Sequence, residues 1–336
     1  MRFLAINFFT LSLLLFSFFL YKTSPLVAGN SNRVGAFALP NSPWDIQWSR
    51  FRANVEKSGL EFEYFIRGEL GSEEQMLSAL KRNRLQIAGV SLQGISSIVP
   101  ELNVALSPFI FETPEHVDFV YDTVLLDVVN KLLVPHNLML LRWLESGWFS
   151  IASREPIVSP NDLAGQKIGG SPNAAIQNLL QGFGADAIPI ASIDLAAGLD
   201  THLIDGVIKP TALIYANLRK SISYITLFNI SYDTGGLLVN KNWFDNLSIM
   251  HKIALKSGHG SSSLVRQEVR SLVSEQVRLM NIHGPKVQKL TDADIMLWKK
   301  KGLAMHQSII DVSGKNAELV YNSIREAINE YDSIQY

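Results

Sequence analysis

The alternation of apolar and polar positions, and its changes of period, divides the chain into strands and helices. Residues 33–39 (RVGAFAL) form an apolar run expected as a buried strand, followed by a proline-bounded turn at 40–43 and a helix over 44–57. Residues 61–66 (EFEYFI) alternate and predict a second strand. Ser72 and Gln75 have the spacing of a capping box, opening a helix that turns Met76, Leu77 and Leu80 inward. A third short strand is expected at 86–90. Thr113 followed by Pro114 reads as an N-cap and a first-turn proline. Beyond it Val117, Val120, Tyr121, Val124, Leu125, Val128, Val129 and Leu132 recur at helical spacing.

From Leu138 the chain is extended again, through Trp143 and Phe149 to Ala152. A second α/β set follows, with strands at 167–168, 187–190 and 204–208 and helices at 174–183 and from Ser192. The last third is mainly helical, over 243–256, 262–281 and 292–310, with one strand at 286–290. Strands alternating with helices predict an α/β fold with open mixed sheets flanked by helices. Two such sets joined by extended crossings predict two lobes with a ligand cleft between them. The expected lobes are 33–146 plus 235–274, and 147–234 plus 275–336 with the C-terminal helices.

The N-terminal stretch changes the picture of location. Arg2, an apolar run to about Leu20 and small residues near Val27-Ala28-Gly29 have the layout of a secretory signal peptide over 1–29, or of an uncleaved anchor. An exported, periplasmic protein is expected, and loss of Arg2 and Lys22 takes its net charge from -1 to -3. Of the 336 residues 47% are hydrophobic and 18% charged, which describes a globular chain with ample core. A net charge near zero offers no field for nucleic acid. With no cysteine there are no disulfides, thiolate metal sites or cysteine nucleophiles.

Most chemical motifs dissolve on inspection. Residues 182–187 (GFGADA) fit the dinucleotide pattern G-x-G-x-x-A, but a helix precedes and a strand follows, the reverse of what pyrophosphate binding needs. A helix C-cap glycine explains it better. Ser78 and Lys81 match S-x-x-K, yet lie on the polar face of an amphipathic helix. The seven histidines show no metal spacing, and no nucleophile–base–orienter set is visible. No cofactor and no catalytic residue is expected. The stretch KIGGSP (167–172) stays open at this level: its glycines suit a phosphate cradle, a tight turn, or a strand end that lacks a side chain. The residues alone describe an exported two-lobed binding module, with a hydrolase using the cleft as the weaker alternative.

Several segments together resemble the DctP-like solute receptors of TRAP transporters. GELGSEEQMLSAL (68–80), VPEL (99–102) with SPFIF (107–111), DLAGQKI (162–168), IDG (204–206) and GLLVNKNW (236–243) occur in the order of that family's segments. The resemblance covers the mature chain. It implies a two-lobed, monomeric receptor, tied by a long helix, that closes on a small solute and hands it to membrane permease subunits. A sensor or docking role on the same fold is the alternative.

The resemblance also implies where the ligand lies. Most relatives hold a carboxylate with an arginine directly after "K-I", and Gly169 stands there. Phe149 and Val207 likewise replace polar family positions, while Lys209 replaces an asparagine. The expected site therefore includes Gly169, Gly170, Ser171 and Asn173 beside Val207 and Lys209. Glu69, Ser91, Gln93 and Tyr232 are expected to line the ligand, with Trp44, Phe109, Phe111, Trp148 and Phe149 around the vacated volume. Loss of a two-bond arginine clamp removes roughly 3–6 kcal/mol of carboxylate affinity. An apolar, amphipathic or otherwise non-carboxylate solute is the expectation.

Overall fold

One long strand serves two sheets. In the computed structural model, which describes residues 31–335 apart from 39 and 41, β1 (Asn32–Ala36) pairs in parallel with β2 (Phe62–Phe65) and β3 (Ile87–Ser91). β4 (Leu138–Ser153) follows, then β5 (Lys167–Gly170), β6 (Asp186–Pro189), β7 (Gly206–Pro210), β8 (Tyr224–Thr226), β9 (Tyr232–Asn240) and β10 (Lys286–Gln288). The strand order is β2-β1-β3-β9-β4-β7-β5-β6, with β8 joining β4 to β10. Residues 138–148 of β4 pair with β9, and residues 149–153 pair with β7. The near-continuous apolar run of β4 suits a strand covered on both faces. Two bulges interrupt its register, and Gly147 at the second has φ +103°, a conformation that favours glycine.

The two sheets share a core. One buried cluster runs from Met76, Leu77 and Val90 of the first α/β set to Ile168, Leu180 and Phe183 of the second. The long helix Ser262–His283 crosses β4 and packs on both the helix Pro43–Val55 and the helix Thr211–Leu218. The expected caps form: Ser72 and Gln75 make the reciprocal bonds of a capping box, and Thr113 Oγ1 accepts from His116 N at 3.2 Å. Gly184, with φ +100°, is the C-cap of the helix Ala174–Phe183, as its place before a strand requires.

Several boundaries differ from the pattern. The stretch 243–256 is two helices, Lys241–Asp245 and Ile249–Ser257, because Ser248 caps the second. Helix 292–310 likewise divides into Asp292–Leu303 and His306–Asp311. The strand β8 and the helices Thr211–Leu218 and Ala317–Gln335 were not expected. The last of these buries Ala317, Val320, Ile324, Ala327 and Ile328 against residues 100–106 and the helix Pro114–Val120. Its apolar stripe is thus covered by elements expected in the first lobe. The N-terminal apolar run lies outside the described residues, among which no helix is long and apolar enough to cross a membrane.

Trp298 joins the C-terminal helices to the second sheet. It is fully buried between Phe183 (ring centroids 4.8 Å) and Phe228 (4.6 Å), and its Nε1 donates to Val158 O at 2.9 Å. Trp298→Ala is expected to cost about 3–5 kcal/mol of folding stability. Equilibrium urea unfolding would show this as a lower midpoint at unchanged slope; a midpoint equal to wild type would show that the contact contributes nothing.

Candidate functional site

The ends of β3, β7 and β9 meet beside β4. Register places Ser91 opposite Gly235, Asp233 opposite Gly147, and Lys209 opposite Ser150. Asp233 and Lys209 therefore flank β4 from its two edges. Glu73, the first residue of the helix Glu73–Lys81, accepts from Ser91 N and from Ser91 Oγ, both at 2.6 Å. Ser91 Oγ also accepts from Gly94 N at 3.0 Å, capping the short helix Leu92–Ser96. Gly94 is required here, since a Cβ would stand 2.4 Å from Glu73 Oε2. Gln93 Nε2 donates to Asp233 Oδ1 at 2.8 Å.

Lys209 Nζ donates to Ser192 Oγ at 2.9 Å, and Ser192 is exposed at the rim. Lys209 is only 7% exposed and Asp233 only 4%. Among the described residues no carboxylate lies within 4.0 Å of Lys209 Nζ. Two of its three donors thus have no protein acceptor, while Asp233 and Glu73 act on it through space. Burial lowers the pKa of Lys209, opposed by the charges of Asp233 and Glu73. Burial likewise raises Glu73, and pushes Asp233 up to about 7 against the pull of Lys209 and Gln93.

A second buried polar network lies beside the first. Tyr232 OH donates to Glu145, whose carboxylate lies 3.3 Å from Arg270 Nε and 3.9 Å from Arg266 Nε. Arg266 grips Asp122 with two bonds of 2.7 and 2.9 Å, and Arg270 grips Asp118 with two of 3.0 and 2.6 Å. A π-helical turn, Tyr121–Leu125, follows the helix that carries Asp118. A cavity of ≈ 10 Å³ beside Tyr121, Glu145, Tyr232 and Arg266 has room for about one water.

The chain matches the bacterial extracellular solute-binding proteins, family 7, over residues 34–311. It belongs to that family. It is 26% identical over 282 residues to the 2,3-diketo-L-gulonate-binding periplasmic protein of Escherichia coli, covering 82% of this chain and 84% of that one. It is 21% identical over 299 residues to the ectoine-binding periplasmic protein of Halomonas elongata, covering 86% and 87%. Among solved structures, the sugar acid binding protein of Advenella mimigardefordensis in complex with galactonate aligns with TM-score 0.81 and 26% identity, over 88% of this chain and 98% of that one. The two-lobed α/β fold is that of this family, and the matched relatives carry solute-binding rather than enzymatic names.

Within this family 7 chain, the structure sorts the expected site residues into two groups. Ser91, Gln93 and Lys209 come together around Asp233 and Glu73, and Trp44 lies against Gly235, the partner of Ser91. Trp44 Nε1 also donates to Glu145 O at 3.1 Å, so it bridges the two networks. Half-buried Trp148 packs edge-on against Tyr232, with ring centroids 4.8 Å apart. Asn173 Nδ2 donates to Asn103 Oδ1 at 2.8 Å and Ser96 Oγ at 3.1 Å, while its Oδ1 caps the helix Ala174–Phe183. That cap occupies the N–H groups of Ala175 and Ile176, which a phosphate cradle would need. Ser171 is half-buried, and its carbonyl accepts from Gln177 at 2.9 Å.

The remaining expected residues lie apart from this group. A Cβ on Gly169 would stand 2.7 Å from Ile204 Cδ1 and 3.0 Å from Ile190 Cγ2. The position therefore abuts apolar side chains of that core. Gly170 faces the opposite side, where a Cβ would stand 2.9 Å from both Ile176 and Leu180. Val207, in register with Gly169, is fully buried in the same core. Phe149 and Phe111 are interior, and Phe109 packs with Phe228 at 6.3 Å. Glu69 is exposed and accepts from Arg67 N at 2.7 Å. Glu73, Asp233 and Ser192 were missed: Glu73 sits inside a capping box, and Asp233 is the second residue of β9, ahead of the strand that the resemblance implies from Gly236.

Two outcomes follow from this geometry. Gly169→Ala is expected to destabilise by about 1–3 kcal/mol through overpacking, and thermal unfolding with bound and free protein would show equal losses. A loss confined to the bound form would return the position to the cleft. Asp233, with a native pKa near 7 against an ordinary 3.8, holds a proton that the unfolded chain has released. Its contribution is fully present below the unfolded value and is lost as pH rises through 7. The melting temperature is expected to fall between about pH 4 and pH 7, and Asp233→Asn to reduce that fall. An unchanged slope in the variant would rule Asp233 out as its source.

Proposed function

We propose that this protein is the monomeric periplasmic receptor of a TRAP-type transporter, capturing a small polar solute and delivering it to membrane permease subunits. The observation that carries this reading is Lys209: a buried ammonium with a single protein acceptor, facing two carboxylates that it does not touch. Buried donors without partners are costly, so these groups suit a state in which a ligand completes them. Membership of the family supplies the receptor role, and relatives named for ectoine and a sugar acid show that its members take small polar solutes.

The solute of this protein is not a simple carboxylate. The basis for that lies in the donors of the site rather than in Gly169: Lys209 is a single ammonium beside Asp233 and Glu73, a point charge and not a two-bond fork. The apolar option loses its support, because Phe109, Phe111, Phe149 and Val207 are interior core.

Protein purified without refolding, examined by native mass spectrometry, would identify a retained solute. Lys209→Met is expected to weaken its binding about tenfold to a hundredfold, from loss of charge-assisted bonds of roughly 1.5–3 kcal/mol. Full affinity in that variant would move the site elsewhere. Calorimetric titration with C4-dicarboxylates and sialic acid is expected to show no binding tighter than millimolar. Micromolar affinity for either would overturn the non-carboxylate assignment while leaving the receptor role intact.

A further inference from the structure

A groove on the surface of the first α/β set stands apart from the site around Lys209. One wall is the helix Glu73–Lys81 with its C-cap, where Gln75, Ser78, Ala79 and Arg82 share a face at helical spacing. The other wall is the turn at Leu70 and Gly71, with Arg84 on the way into β3. The groove measures ≈ 510 Å³, against ≈ 10 Å³ for the cavity beside Glu145, so it has room for a ligand or a few residues of another chain. Its apolar part is formed by half-buried Leu70 and Ala79, which pack on the core beneath.

The polar side chains of the groove present donors. Gln75 Oε1 accepts from Ser72 N at 2.8 Å, which leaves Nε2 facing outward. Ser78 Oγ accepts from Arg82, which leaves its own hydrogen. Arg84 makes no side-chain hydrogen bond or ion pair among the described residues, and no carboxylate lines the groove. A lone surface arginine is ordinarily just solvated. Here two exposed guanidinium groups, an amide nitrogen and a hydroxyl share one groove in which the side-chain acceptors are already used. The complement of such a surface is a chain of carboxylates, because a guanidinium fork matches a carboxylate in charge and in geometry.

Resting on the receptor reading above for its occupant, we infer that this groove docks an acidic segment of a membrane permease subunit. Carboxylates of the segment meet Arg82 and Arg84, and an aliphatic side chain rests on Leu70 and Ala79. The helix Glu73–Lys81, about 14 Å long, holds Ser91 through Glu73 at one end and carries Arg82 at the other. A partner in the groove therefore leaves the solute's place free while touching an element that borders it.

Two labelled peptides probe the groove: an acetylated ELELE and its uncharged counterpart QLQLQ. Fluorescence anisotropy with the full mature protein at low ionic strength is expected to show the acidic peptide bound about tenfold more tightly, the worth of one charge-assisted contact. Added salt is expected to shrink that preference. Arg82→Glu combined with Arg84→Glu is expected to abolish it. Arg84→Gln is expected to reduce it about threefold, and it keeps the test decisive if the double variant fails to fold, since this guanidinium bonds to nothing in the fold. Solute retention, read by native mass spectrometry, is expected to be unchanged in both variants. Uptake of the retained solute into vesicles carrying the permease subunits is expected to fall at least tenfold with the double variant.

Equal affinity for the two peptides overturns the inference, as does a preference that survives both variants or an uptake that the double variant leaves intact. Citrate bound more tightly than ELELE assigns the groove to a small anion, and a dimer lost in Arg84→Gln assigns it to a second copy; either result overturns it too. If solute retention persists while the acidic preference is absent, only the docking surface falls. If the preference holds and no solute is retained, the receptor reading fails and the acidic-segment assignment stands.

Discussion

Hydrogen bonding of one strand on both of its edges is the constraint from which the remaining structure follows. β4 cannot shift against β9 without also losing its register with β7, because the same 16 residues carry both ladders. The bulge at Gly147 adjusts the strand where the two pairings change over. Asp233 and Lys209 are held on either side of that point by backbone register. The sheet thereby fixes where their backbones stand.

The Glu145 network makes the complementary contribution. Asp118, Asp122, Arg266 and Arg270 are paired bidentately, so the long helix is attached to β4 by geometry-specific contacts. Arg266 is nearly buried and Arg270 about one-third exposed. Removing one partner would leave an uncompensated charge, which is costlier than never having had the pair. Glu145 is pushed up to about 7 by burial, against Arg270 and Arg266. Two buried polar clusters thus stand close together with opposite characters. One is saturated by protein partners, and the other is left open.

Legibility in the sequence follows the range of the interactions involved. Local signals were read well: the capping box at Ser72, the Thr113–Pro114 start and the C-cap at Gly184 depend on residues within one turn. Helix breaks at Ser248 and after Leu303 were hidden because the apolar period continues across them. The order of family segments placed Ser91, Gln93 and Lys209 near one another, since strand ends recur with the fold. Side-chain direction was not legible in the same way. The place of Gly169 after Lys167-Ile168 says nothing of its neighbours, which are Ile190 and Ile204. Asp233 was invisible because its significance arises from Lys209 and Gln93, which lie far from it in sequence.

Asn173 uses one amide for two purposes at once. Its oxygen caps a helix within its own segment, whereas its nitrogen reaches Ser96 and Asn103, some seventy to eighty residues earlier. Parting of those segments would release only the nitrogen, leaving the capped helix end unchanged. The freed N–H groups would be hydrated at once, so the net penalty is on the order of 1 kcal/mol per bond. Such a contact behaves as a light latch: strong enough to favour a joined geometry, too weak to trap it. It also leaves the amide poised in the same rotamer for re-engagement, because the helix end continues to hold its oxygen in place.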